Sequence, residues 1–176
     1  MSDSHHDRHI RRKPAQNEPV SRHGTAAAHP FDSSAAVPWR RVALWGFLLN
    51  MIWEFAQCTV LYDMWDWGFW RATVWMWGAI LGDVLIVLGV VGLARRLAPQ
   101  VTPPDARGWT ALLAVGFVAS VGLEWAAQAL DLWGYSPLMP TVTVLGHTVG
   151  LSPIAQVTGL PALSAFLAGR NASSNP

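Results

Sequence analysis

The chain has 176 residues, 52% of them hydrophobic and only 13% charged, a balance that excludes an ordinary soluble domain and indicates a membrane protein. Its net charge of +1 conceals a sharp partition, because Arg8, Arg11, Arg12, Lys13, Arg22, Arg40 and Arg41 all precede the first apolar run. The single cysteine, Cys58, sits inside an apolar segment, which excludes an intramolecular disulfide and leaves a structural zinc site without support.

Residues 1–39 are rich in His, Arg, Pro, Ser and Ala and have neither apolar periodicity nor the short hydrophobic region of a cleavable signal peptide. A disordered cytoplasmic tail is expected here. Five of the six histidines fall in it, and the spacing His5-His6-x-x-His9 is able to hold a transition metal weakly. The plainer expectation is a solvated arm whose Arg8 to Lys13 run touches anionic lipid. That run is short and has no interleaved aromatic residues, which argues against nucleic acid as a partner.

A helix that crosses roughly 30 Å of hydrocarbon needs about 20 apolar residues. Four stretches meet that demand, at about 42–61, 72–93, 109–130 and 151–167. The expected fold is an all-α, polytopic bundle of four transmembrane helices within 40–169, followed by a short C-terminal tail at 170–176. In the fourth stretch, Ser152 and Pro153 read as an N-cap with proline at the first helical position. Pro161 is expected to kink that helix near Val157.

Loop charge sets the expected orientation. Arg40 and Arg41 precede the first span, Arg95, Arg96 and Arg107 separate the second from the third, and Arg170 follows the fourth. All lie on one side, so 11 of the 12 Lys and Arg residues share a compartment and only Arg71 faces the other. The positive-inside rule then places both termini in the cytoplasm of a cell (inner) membrane. Trp65, Trp67, Trp70, Trp75 and Trp133 mark the outer boundary, and Trp39, Trp45 and Trp109 the inner one. Residues 134–150 exceed a plain turn and are expected to dip towards the membrane and roof the space between helices, which requires that their backbone be buried in protein or line a cavity.

Three spans carry a carboxylate well inside the apolar run: Glu54, Asp83 and Glu124. A charged side chain at mid-bilayer costs about 2.5–3.5 kcal/mol on insertion scales, so such residues usually face a bundle interior and serve a site. Asn50, Glu54 and Gln57 share one helical face, as do Ser120, Glu124, Gln128 and Asp131. At about 1.5 Å per residue, Glu54 and Glu124 lie roughly 10 Å below the outer surface and Asp83 roughly 16 Å. Gly78 and Gly82 form a small-xxx-small pair beside Asp83, which permits close helix approach.

The order Glu54, Gln57, Asp63, Trp65 is echoed by Glu124, Gln128, Asp131, Trp133. This points to a 2+2 internal repeat, two helical hairpins related by an axis along the membrane normal that brings the two glutamates together. On that scheme Asp83 corresponds roughly to Gln156. No Arg or Lys lies between the ends of any span, so the acids must be compensated by proton uptake, a bound cation, or hydrogen bonds from Asn50, Gln57, Gln128 and Gln156. No Glu-x-x-His pair exists, which leaves a dedicated metal site unsupported.

Trp53 beside Glu54 and Trp125 beside Glu124 place aromatic faces near acids, an arrangement able to protonate an apolar double bond and shelter a cation. The run Asn50-Met-Ile-Trp53-Glu54, followed in the next span by Asp83, resembles the local pattern of integral-membrane terpene cyclases. That resemblance covers these residues alone, in a chain of four spans where that family has seven. It implies that Glu54 and Asp83 start cyclisation of an isoprenoid chain.

The sequence thus predicts a membrane protein with an outward-leaning pocket of carboxylates and amides that binds a proton, cation or polar ligand. Glu54, Asp83 and Glu124 are the candidate catalytic groups, and Asn50, Trp53, Gln57, Trp125, Gln128 and Gln156 the candidate ligand-binding ones. An isoprenoid- or lipid-modifying enzyme and a structural subunit whose acids only join helices are the alternatives. Lipid is the expected partner, with a homo-oligomer or a larger membrane assembly beside it. No cofactor is identifiable.

Overall fold

A computed structural model describes residues 36–64 and 66–170. The histidine spacing and basic run of the N-terminal tail, the tail's residues 1–35, Trp65 and residues 171–176 lie outside them. Trp39, the last residue of the expected tail, already opens the first helix.

The described chain is α-helical, with helices α1 (Trp39–Leu61), α2 (Phe69–Leu97), α3 (Ala106–Ala129) and α4 (Leu151–Arg170). Each is long and apolar enough to cross a membrane, and the chain is a multi-pass membrane protein. Between α3 and α4 a small hairpin pairs β1 (Thr141–Val144) with β2 (His147–Gly150). The helix ends obey local chemistry. Pro38 halts the backbone before α1, and Asp105 caps α3 by accepting from the Gly108 N–H at 2.7 Å. Arg95 and Arg96 in the last turn of α2, and Arg170 in that of α4, complement the negative end of the helix dipole.

One detail of α4 differs from the sequence expectation. The helix begins one residue before Ser152, whose hydroxyl donates to Gln57 Oε1 at 2.6 Å instead of capping. The helix also continues through Pro161. Proline cannot donate to the carbonyl four residues earlier, and that carbonyl, of Val157, is covered from α3: a Cβ on Gly116 would stand 2.7 Å from it. Glycine lets the α3 backbone close over a carbonyl that the proline leaves free.

The core lies at the end of the bundle that carries Arg41, Arg95 and Arg107, where Val42, Val87, Val91, Ala94, Leu112 and Ala165 are buried together. Outside, Leu85, Leu97 and Val118 are exposed, an apolar surface suited to lipid. α1 and α3 each pack against both α2 and α4, and α2 meets α4 across one diagonal.

The repeat has one register. Gly46 and Gly116, Asn50 and Ser120, and Glu54 and Glu124 are each 70 residues apart, as are the buried pairs Val42 and Leu112, Val87 and Val157, and Ala94 and Ser164. Gly46 lies against the Val87 side chain, and Gly116 against the backbone carbonyl of Val157. The ends of α1 and α3 also meet, through an antiparallel bridge between Tyr62 and Tyr135, with the Asp63 N–H donating to Gly134 and the Ser136 N–H to Leu61. This register pairs Asp83 with Pro153 and Gln156 with Ile86, which corrects the looser pairing of Asp83 with Gln156. The first turns of α2 correspond to residues 139–150, where the second half of the chain forms the hairpin instead.

Candidate functional site

Glu54, Asp83, Glu124 and Gln156, from four different helices, line one cavity of about 490 Å³. Apolar walls are formed by Val74, Trp75, Ala79, Ile86, Leu123 and Val157, and Cys58, Ser120 and a fourth acid, Asp63, line it too. Trp133 and Gly134 join them from the segment after α3, and Tyr62 and Trp67 from the segment after α1. No Arg, Lys or His is among the lining residues. Val74 is 69% exposed and Leu123 38%, so the side of the cavity between α2 and α3 runs out to the bundle surface. A Cβ on Gly78 or Gly82, both lining residues, would meet nothing within 4 Å. The glycines leave that space open.

Below the cavity a polar network joins α1, α2 and α4. Gln156 is its hub: Nε2 stands 2.7 Å from Glu54 Oε1, 2.8 Å from Asp83 Oδ2 and 3.0 Å from Asn50 Oδ1. Its Oε1 accepts from Gln57 Nε2 at 2.7 Å, and Gln57 also donates to Glu54 Oε1 at 2.7 Å. Gln57 Oε1 in turn accepts from Trp53 Nε1 at 2.9 Å and from Ser152. The Cys58 thiol donates to Glu54 Oε2 at 2.8 Å. An amide nitrogen carries two hydrogens and Gln156 Nε2 faces three acceptors, of which Glu54 Oε1 is also served by Gln57 Nε2. Glu54 is 4% exposed and Asn50 2%, which leaves them little access to water.

Glu124, 2% exposed, has a different setting. Its carboxylate accepts from the Tyr135 hydroxyl, whose own oxygen accepts from the Gly150 N–H at 3.1 Å and from Gln128 Nε2 at 3.4 Å. Gln128 also donates to the Thr148 carbonyl. These bonds tie the hairpin to α3. Tyr62, just beyond α1, touches the Trp133 and Tyr135 rings at 6.3 and 6.2 Å between centroids. Burial, with Glu124 and Glu54 nearby, pushes its hydroxyl well above the ordinary phenol range, so it stays neutral.

The residues singled out in the sequence therefore separate into three groups. Glu54, Asp83, Glu124 and Gln156 face the cavity. Asn50, Trp53 and Gln57 stand behind it and act on it through hydrogen bonds. Gln128 turns to the hairpin, and Trp125 packs on His147 at 5.4 Å. Among the described residues no group of three His, Cys, Asp or Glu side chains is placed to hold a metal ion. Sequence reasoning missed Tyr135 and Ser152, and the indoles nearest the acids, Trp53 and Trp125, are not the ones in the cavity wall. Tyr62 and Tyr135 are the chain's two tyrosines, each following the polar stripe of an odd-numbered span, and that was the available signal.

No family model, curated protein or solved structure matches the chain. Its function is therefore argued from this geometry.

Proposed function

We propose that the chain is a membrane-embedded binding module whose carboxyl-lined cavity takes up a small polar or cationic ligand, with both termini in the cytoplasm. The observation that carries this reading is the convergence of Glu54, Asp83 and Glu124, from three helices, on one cavity with no basic residue in its lining. A cavity of this volume falls within the range of small-molecule sites, which runs to roughly 300–1,000 Å³.

The test is complementation of cells lacking the chain. Glu54→Gln, Asp83→Asn and Glu124→Gln are expected to accumulate in the membrane at near wild-type amounts and to fail to restore function. Amide variants that restore it fully would reduce the acids to helix-joining groups and the chain to a structural subunit.

One observation favours a second reading, a membrane-embedded enzyme acting on isoprenoid or other lipid. Trp67, Trp75 and Trp133 line the same cavity as Glu54 and Asp83, so aromatic faces border the acids as that chemistry requires. Lipid extracts of cells with and without the chain decide it: a new or depleted isoprenoid supports catalysis, and identical extracts contradict it.

A further inference from the structure

We infer that the ligand is a lipophilic amine, an apolar body with a single cationic head, that enters sideways from the bilayer between α2 and α3. The inference rests on the binding reading above and adds the ligand's chemistry and route. Three observations carry it. The first is the make-up of the lining: Val74, Ala79, Ile86, Leu123 and Val157 make it mostly apolar, with the carboxyls of Glu54, Asp63, Asp83 and Glu124 among them, which fits a molecule that is apolar along most of its length and cationic at one tip. The second is charge. The lining holds acids and no base, and Arg71, the one cation expected on this side, stacks on Trp67 at 3.9 Å and is not part of the lining. The indoles of Trp67, Trp75 and Trp133 add faces that attract ammonium groups.

The third observation is the comparison the repeat provides. The groove between α4 and α1 corresponds to the one between α2 and α3, with Ser152 in place of Gly82, Gln156 in place of Ile86 and Trp53 in place of Leu123. There the larger and polar side chains interlock, through Trp53, Gln57 and Ser152. The same architecture thus packs one groove with side chains and leaves the other open at two glycines. The opening is a property of this half of the sequence and not a by-product of the fold.

The probe is dodecylamine carrying a photoreactive diazirine, with matched dodecanol and dodecanoate, added to the purified full chain in phosphatidylcholine vesicles at neutral pH. Crosslinks are mapped by mass spectrometry. The amine is expected to label α2, α3 and the segment around Trp133, and to exceed both the alcohol and the acid there by about tenfold. Gly78→Leu and Gly82→Leu fill the space without meeting another atom at Cβ, and are expected to cut that labelling by a similar factor while the variants keep wild-type thermal stability. Equal labelling by alcohol and amine overturns the cationic head, and labelling unchanged by both leucine variants overturns the site. If the amine fails to label while the amide variants still lose function in cells, the amine is wrong and the acid site stands. If those variants keep function, both readings fall.

Discussion

The two glutamates of the repeat occupy equivalent positions in α1 and α3, yet their surroundings have little in common. Glu54 is held by two amides and a thiol from α1 and α4. Glu124 is held by one phenol, Tyr135, itself braced by the hairpin. The difference follows from what lies 70 residues away in each half. Gln156 reaches Glu54, but its counterpart beside Glu124 is Ile86, which has nothing to donate. A shared fold thus supplies the positions of the acids, while the second helix of each hairpin decides how each acid is served and how much space stays beside it.

The largest effect expected is on packing. Gly116→Leu drives a side chain into the Val157 carbonyl, and overpacking against backbone costs about 3 kcal/mol or more. Gly78→Leu adds the same atoms into open space and should leave stability within about 0.5 kcal/mol of wild type. Unfolding in detergent, followed by tryptophan fluorescence, separates them. Equal costs would mean that Gly78 does not face open space as described.

A smaller loss is expected for Gln156→Leu. It removes the donor shared by Glu54, Asp83 and Asn50 and the acceptor for Gln57. Interhelical hydrogen bonds in membranes average about 0.6 kcal/mol, with a maximum near 1.7, so losing four contacts predicts roughly 2 kcal/mol by the same assay. The reciprocal change, Ile86→Gln, places an amide beside the cavity on the other half, where it should cost under about 1 kcal/mol if it finds a carboxyl to serve.

Tyr135→Phe follows, at about 1 kcal/mol. It frees Glu124 and the Gly150 N–H together, so amide hydrogen exchange should quicken across residues 141–150 and stay unchanged in the first turns of α1. Uniform exchange in the variant would show that the hydroxyl does not brace the hairpin. Ser152→Ala is the smallest, a few tenths of a kcal/mol, because Gln57 Oε1 keeps its bond from Trp53.

Much of this was legible in the residues. Runs of apolar residues interrupted by loop charge give four helices because a span must satisfy its own backbone and hide it from lipid. Acids inside such runs at helical spacing were enough to bring Glu54, Asp83 and Glu124 to one place. The hairpin was not foreseen, although Thr141-Val-Thr-Val144 and His147-Thr-Val-Gly150 flank a two-residue Leu145-Gly146 turn, a pattern that specifies paired strands. Both turn residues take positive φ, 51° and 86°, and the glycine makes the second inexpensive. Its Val and Leu content suits a segment at the membrane, whereas its alternation with period two marks strands. The exact register of the repeat was hidden because the echo was counted from Gln57 and Gln128, which diverged in role, whereas the conserved spacing runs through Gly46, Glu54 and Val87 and their partners. Which indoles reach the acids depends on how the loops fold over the bundle, and helical spacing contains no such information.

The most direct test of the shared cavity is labelling by a bilayer-soluble carbodiimide, with adducts mapped on the purified chain in vesicles. Adducts are expected on Glu54, Asp83 or Glu124 in the wild type, with labelling lowered about tenfold in Gly82→Leu, which keeps every acid and fills the space beside them. Acids that react equally fast in the wild type and in Gly82→Leu, or that never react, would contradict the shared cavity.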